Sequence, residues 1–430
     1  MSDAAAVTAG QEIELLVEKP ASGGRMIARH AGEVVLVAGA IPGERVAAVV
    51  SRAEKRVAFA DTVRVLEPSP DRRTPDGDPA CGGCLYAHIA YDRQRQLKAE
   101  VIRDAFARIG RISVESAIHV AGSTERGYRM RARFHVRDGH PGFYREGTRD
   151  LCDPRLTGQM ADDSLDGVDA AVAALKAQGI TVLSVELAEN LTGDQRALHL
   201  DLREPRPSTD ALQRAVAAAG LTGLTARTLD NVFHSVGDPI VSDPLPALTN
   251  GRAADGWLRR HPESFFQGNR FLVATLATTV LDSVQLGSVL DLYAGVGLFA
   301  VALAASGRGE ITAVEGDPSS GQDLLRNAAP FHDRLRVARS SVETFLSRGL
   351  RTPPATLIMD PPRTGMSKGA ADAIARSGAG RIVYVSCDAP TMARDARRLV
   401  DAGYRLVSLQ GFDLFPNTPH VETAGVFERS

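Results

Sequence analysis

Val289-Leu290-Asp291-Leu292-Tyr293-Ala294-Gly295-Val296-Gly297-Leu298-Phe299 decides the fold. An apolar strand, Val289–Leu292, runs into a glycine turn, and the turn opens a helix over Phe299–Ala305. Gly295 and Gly297 let the backbone approach a ligand closely, at the strand edge where α/β sheets bind ligands. A second strand, Ile311–Val314, ends on Glu315, an acid placed to accept hydrogen bonds from both hydroxyls of a ribose. Dinucleotide folds share this logic, but their third glycine is missing here. The pattern reads as a nucleoside-type cofactor site, with a purely structural strand–turn–helix as the alternative.

Outward from this stretch, strand and helix keep alternating. A helix is predicted over Gln322–Ala328, and strands over Ala355–Met359, Arg381–Val385 and Arg405–Leu409. Such alternation predicts a doubly wound, Rossmann-like α/β sheet. Three further segments then fall at its carboxyl edge: Asp360-Pro361-Pro362-Arg363, Ser386-Cys387-Asp388 and Leu414–Thr423. C5 of a pyrimidine is a poor nucleophile until a thiolate adds to C6 and makes C5 enolate-like. A base must then take the C5 proton before the thiol leaves. That chemistry needs one Cys and one carboxylate, and Cys387 and Glu422 have the right types. Taken singly, a strand-end Cys is more often a buried small hydrophobe, and a Glu in such a position is usually solvated.

Six ordered segments carry a resemblance. They are Phe265-Phe266-Gln267, Asp291–Phe299, Val314-Glu315, Asp360–Arg363, Val385–Asp395 and Phe415–Thr423. Together they resemble the uracil-5 RNA methyltransferase family. The resemblance implies an S-adenosylmethionine cofactor, Cys387 as nucleophile and Glu422 as base. It also implies that Gln267, Tyr293, Glu315 and Asp360 contact cofactor or target base, Asp360 through uracil N3–H. Phe265 and Phe266 are expected to stack on a flipped base, because base chemistry requires extrusion from the helix. Three positions depart from the family: Ala294 in the turn, Asp388-Ala389-Pro390-Thr391 after the nucleophile, and Ser341 where an acid or amide usually meets adenine.

Upstream, residues 11–66 carry short β-branched runs, Glu12–Val17, Val34–Val37, Arg45–Val50 and Val57–Val65, separated by Gly and Pro. They suggest a small barrel and resemble the TRAM RNA-binding module. A helix follows over about Tyr91–Ile109. Arg126–Arg149 holds seven arginines against Asp138 and Glu146, a net charge of +5. Its alternation reads as a strand with one cationic face, and Arg131 and Arg133 are candidates for phosphate contact. Residues 160–250 read as an α+β layer with helices Asp166–Ala177 and Asp210–Ala219 and strands Val182–Leu187 and Ala197–Leu202. The expected domains are a β-barrel over 1–68, a central α+β domain over 69–250 and the Rossmann-like domain over 251–430.

Cys81, Cys84 and Cys152 resemble the [4Fe-4S] ligands of the same family, but Pro75 stands where the first cysteine belongs. Asp76 or Asp78 could supply an oxygen in its place, or the cluster could be absent; a CxxC alone also suits zinc or a redox pair, although three cysteines and His88 are not a strong zinc spacing. The cluster is therefore expected to be labile or absent.

The 430 residues are too many for one ordinary domain. A net charge of −2 gives no global nucleic-acid signature, so charge has to be read locally. Four cysteines in so long a chain argue against a disulfide framework and for a reducing compartment. Neither a secretory signal nor a membrane-spanning run is visible, so a cytoplasmic location is expected; the chain is expected to act as a monomer. The resulting reading is RNA uracil-5 methylation, with ribosomal RNA preferred as target. The alternatives are tRNA, another nucleobase, a small molecule, or a non-catalytic RNA-binding protein.

Overall fold

A computed structural model describes residues 7–75, 77–204 and 206–429. Asp76 lies outside them. Five strands, β1 Glu12–Pro20, β2 Met26–His30, β3 Glu33–Ala38, β4 Arg45–Glu54 and β5 Val57–Glu67, close a barrel in the order β1-β2-β3-β5-β4. Alternation makes the barrel: Ile13, Leu15 and Val17 point inward along β1 while Glu12, Glu14 and Leu16 are exposed. Tyr86, Ile89 and Leu97 plug its core from the segment that follows. β2 is an addition to the sequence reading.

The remaining strands are β6 Val120–Ala121, β7 Arg131–Arg137, β8 His140–Tyr144, β9 Leu151–Cys152, β10 Val182–Glu189, β11 Arg196–Leu202, β12 Gly223–Thr228, β13 Phe233–Gly237, β14 Val241–Pro244, β15 Trp257–Arg260, β16 Val289–Leu292, β17 Ile311–Glu315, β18 Leu335–Arg339, β19 Thr356–Met359, β20 Arg381–Ser386, β21 Tyr404–Phe412 and β22 Glu422–Arg429. The central sheet runs β13-β12-β11-β10-β7-β8-β9. Helices Asp162–Lys176 and Thr209–Ala218 press Leu165, Val168, Val172, Leu212 and Ala215 onto one face of it.

The C-terminal sheet runs β18-β17-β16-β19-β20-β22-β21-β6. β18 to β20 are parallel, as the alternating pattern predicts, and β22 then returns antiparallel to β20. Two apolar layers cover its faces. One contains Ile102, Phe106 and Val120, so the helix Tyr91–Ala105 and β6 pack on this sheet. The other contains Leu245, Leu248 and Leu258, which brings in the β14–β15 hairpin. Among the described residues no helix is long and apolar enough to cross a membrane.

Candidate active site

The glycine turn after β16 is built for close approach. Gly297 has φ +98, and a Cβ there would lie 2.6 Å from Val301 Cγ2 and 2.7 Å from Leu324 Cδ1. Tyr293, with a side chain, takes φ +60, a strained conformation of the kind that clusters at functional sites. Glu315, at the end of β17, accepts from Gly295 N at 2.7 Å and from Asp317 N at 2.6 Å. Burial nevertheless pushes its carboxyl upward, more than those bonds lower it. Beside the turn, buried Asp291 accepts from Ala300 N with Oδ2, while its Oδ1 has no partner. Gln267, Tyr293, Gly295 and Asp360 line one cavity with Phe265 and Phe266. A glycine cradle, an acid at the next strand end and an unpartnered buried carboxylate oxygen fit an adenosyl amino acid with ribose hydroxyls and an ammonium.

The second half of the site is set by strand register. β20 pairs with β22 so that Ser386 faces Thr423, and β21 pairs Phe412 with Glu422. One more step along β20 and β22 puts Cys387 opposite Glu422. Asp388 begins the helix Ala389–Asp401 by accepting from Thr391 N at 2.9 Å, so this departure from the family works as a helix cap. Ser341 likewise caps Val342–Ser347 through Thr344 N.

Burial pushes the Cys387 thiol up to about 12, and the negative charges of Glu422 and Asp360 act in the same direction, against Arg363. Glu422 is raised well above the ordinary carboxyl range, first by burial and then by Asp360, and its Oε1 has no hydrogen-bond partner. Asp360 is raised to about 7 by burial, although the Gln267 amide donates to it at 3.3 Å. Three groups that each hold a proton more tightly than usual thus lie close enough for the charges of Glu422 and Asp360 to act on Cys387 and that of Asp360 on Glu422.

Cys387 opens onto a cavity of about 350 Å³. One wall is C-terminal, with Arg363, Phe415, Thr418 and His420; the other is central, with Gly82, Gly83, Arg129, Phe143 and Gln159. Burial and the surrounding cations hold His420 down at about 4, so it is neutral. Lys98 supports the Phe415 loop from below, ion-paired with Asp413 and donating to the Phe415 carbonyl at 3.2 Å. Sequence reasoning missed this central wall. Gln159 lies in a loop without pattern, and Arg129 registered only as one charge among seven.

Several expectations change. Phe265 is 58 % exposed, with the Arg131 guanidinium 5.7 Å from its ring centre, and is free to stack. Phe266 is buried beneath Arg260, 4.0 Å from its ring centre, and is core instead of a stacking platform. Arg131 and Arg133 share a face of β7 as the alternation predicts, but that face is not freely cationic. Arg131 pairs with Glu186 at 3.1 Å, and Arg133 lies 3.8 Å from Glu186 and 3.6 Å from Asp201. The neutralising carboxylates come from β10 and β11, outside the stretch whose charge was read.

The cysteines also differ from expectation. Cys81 and Cys152 form a disulfide: Cys152 pairs with Phe143 across β8–β9 and Cys81 bridges to Arg145 just beyond β8, with the two Cα atoms 5.9 Å apart. Cys84 is a buried free thiol, and Asp78 pairs with Arg145 at 2.7 Å. Among the described residues no three His, Cys, Asp or Glu side chains are grouped to hold a metal. Cys81, Cys84 and Cys152 therefore do not assemble a ligand set, and with Pro75 in place of a thiolate these residues do not fit a [4Fe-4S] cluster.

Two family models match the chain: the TRAM domain over residues 6–63 and the tRNA (Uracil-5-)-methyltransferase over residues 353–430. The 23S rRNA (uracil(1939)-C(5))-methyltransferase of Alkalilimnicola ehrlichii is 31% identical over 446 residues, covering 94% of each chain. The chain belongs to the RNA uracil-C5 methyltransferase family.

An uncharacterized RNA methyltransferase of Streptomyces coelicolor is 31% identical, covering 97% of this chain and 93% of its own. In fold, the chain is similar to the Pyrococcus abyssi tRNA (uracil-54, C5)-methyltransferase, solved with S-adenosyl-L-homocysteine. The TM-score is 0.74 at 21% identity, over 96% of this chain and 99% of the other. This RNA uracil-C5 methyltransferase uses S-adenosylmethionine and acts on RNA, with a TRAM barrel at its amino end.

Proposed function

We propose that the chain methylates C5 of a uridine in ribosomal RNA through a covalent bond between Cys387 and uracil C6. The observation that carries this reading is that Cys387, which lines the cavity, lies beside the buried Glu422 at the end of the β20–β22 ladder, close enough for the Glu422 charge to act on the thiol. When bound, S-adenosylmethionine supplies an electrophilic methyl group. Glu315, Gly295, Gly297 and Tyr293 hold its adenosyl part, with Gln267 and Asp360 between cofactor and base.

Cys387 adds to C6 as its thiolate, and the charge passes to the C4 carbonyl oxygen as an enolate, which makes C5 nucleophilic. Glu422 removes the C5 proton once C5 carries the methyl group, and elimination frees the thiol. Asp360, protonation-competent near neutrality, faces the uracil edge. Phe265 stacks on a base outside the cavity, and Arg131 and Arg133 line the RNA path.

Ribosomal RNA is favoured because relatives covering nearly the whole chain carry that substrate in their names. A monomer acting in the cytoplasm suits such a substrate. Mapping 5-methyluridine across ribosomal and transfer RNA, from cells with and without the protein, tests the assignment. Loss of one ribosomal 5-methyluridine is expected. Loss confined to tRNA would move the substrate to the alternative.

A further inference from the structure

Arg129, Gln159 and the Gly82–Gly83 turn make the central wall of the Cys387 cavity. The Arg129 guanidinium lies 5.2 Å from the Phe143 ring centre and 5.9 Å from that of Phe415. Its Nη1 donates to Gln159 Oε1 at 2.6 Å and its Nε to the Arg131 carbonyl at 3.0 Å. Among the described residues no carboxylate stands within ion-pair distance of it, whereas Arg131, Arg133 and Arg145 in the same stretch each have one.

Gln159 is 1% exposed, and with Oε1 committed to Arg129 its Nε2 is buried without a partner. The amide is also fixed from behind. A Cβ at Gly83 would lie 1.5 Å from Nε2, so a side chain there would displace the amide from this position. A cation without a counter-charge and an amide donor without an acceptor thus sit side by side in the wall of one cavity. Both arrangements are costly unless a ligand completes them. The complement is an oxygen group carrying a full negative charge. A uracil carbonyl is neutral until the thiolate attacks, so it cannot neutralise Arg129 in the bound ground state. An RNA phosphodiester can.

We propose that Arg129, oriented by Gln159, binds the phosphodiester of the flipped target nucleotide and so seats the uracil against Cys387. The proposal rests on the reading that this cavity receives the RNA uridine. Arg129 is a substrate-binding residue, and Gln159 is a positioning residue that acts through it.

The test uses the full chain and an RNA oligonucleotide spanning the mapped uridine, with and without one uncharged methylphosphonate linkage at that nucleotide. In the wild type, removing the phosphate charge is expected to weaken binding by about tenfold, the scale of a charge-assisted contact. Arg129→Gln is expected to raise KM for the normal RNA similarly, with kcat at saturating RNA moving far less. It should also lower the salt slope of binding by about one and make the protein indifferent to the methylphosphonate. Arg129→Lys should recover part of the loss. Gln159→Glu keeps Arg129 but gives it an internal partner, and should abolish the methylphosphonate effect even if Arg129→Gln fails to fold. Equal methylphosphonate losses in wild type and variants would overturn the proposal, as would a defect confined to kcat. Whether the wild type methylates the oligonucleotide reports separately on the proposed function.

Discussion

Cys387 and Glu422 stand opposite one another, one register step beyond the Ser386–Thr423 pair that ends the β20–β22 ladder. An antiparallel return strand inserted into an otherwise parallel sheet thus brings together a thiol and a carboxylate 35 positions apart in the chain. Burial and then the Glu422 charge raise the thiol's affinity for a proton, while burial and then Asp360 raise that of Glu422.

This burial makes stability depend on pH. Asp360 sits at about 7 against an ordinary 3.8, so the folded chain holds its proton more tightly than the unfolded chain does. The stabilisation is present in acid and is lost as pH rises from about 4 through about 7. Glu422 is shifted in the same direction. Raising the pH from about 5 to about 8 is expected to lower the Tm of the cofactor-free protein, and Asp360→Asn should flatten that fall. Calorimetric melts that fall equally in both would refute this.

The buried pair of Lys98 and Asp413, 1% and 0% exposed, fastens the helix Tyr91–Ala105 beneath the Phe415 loop. Lys98→Met leaves the Asp413 carboxylate buried and alone, and should cost about 3–5 kcal/mol in urea unfolding. Replacing both residues with apolar ones should recover much of the loss. No recovery would mean that the helix contacts, not the charge pairing, matter most.

Arg133 is the more exposed of the two candidate phosphate ligands on β7. Arg133→Glu should weaken RNA binding and reduce its salt slope by about one, leaving cofactor affinity unchanged by calorimetry. Unaltered RNA binding would remove β7 from the RNA path.

Much of the C-terminal sheet was legible because buried parallel strands write themselves as short apolar runs. Val289–Leu292 is predicted and observed with the same bounds. β2 escaped because Met26–His30 mixes Arg29 and His30 into a short strand, and β12 because Thr225, Ala226 and Arg227 give no clear apolar period. The cofactor turn and Cys387 were readable as local motifs. The central wall was not, because Gly83 touches Gln159, and Gln159 Arg129, only through tertiary packing. Charge misled for the same reason: Glu186 and Asp201 reach Arg131 and Arg133 from strands far away in sequence.

The cysteine arrangement can be checked by titration. Denatured, unreduced protein should show two free thiols, Cys84 and Cys387, and four after reduction. Anaerobically purified protein should carry clearly fewer irons than a four-iron cluster requires. A stable stoichiometric cluster would contradict the Cys81–Cys152 bond and require a ligand other than Pro75.

The central claim is that Cys387 attacks first and Glu422 takes the proton afterwards, and a denaturing gel of protein incubated with S-adenosylmethionine and RNA tests it most directly. Glu422→Gln can still form the C6 bond and accept the methyl group, but the C5 proton stays and the thiol cannot leave. Loss of general-base help costs on the order of a hundred- to ten-thousand-fold, so a methylated protein–RNA adduct should accumulate and survive denaturation. Wild type should trap on 5-fluorouridine RNA at the same stage, and Cys387→Ala should form neither adduct nor 5-methyluridine. Normal turnover by Glu422→Gln, or any 5-methyluridine from Cys387→Ala, would contradict the account.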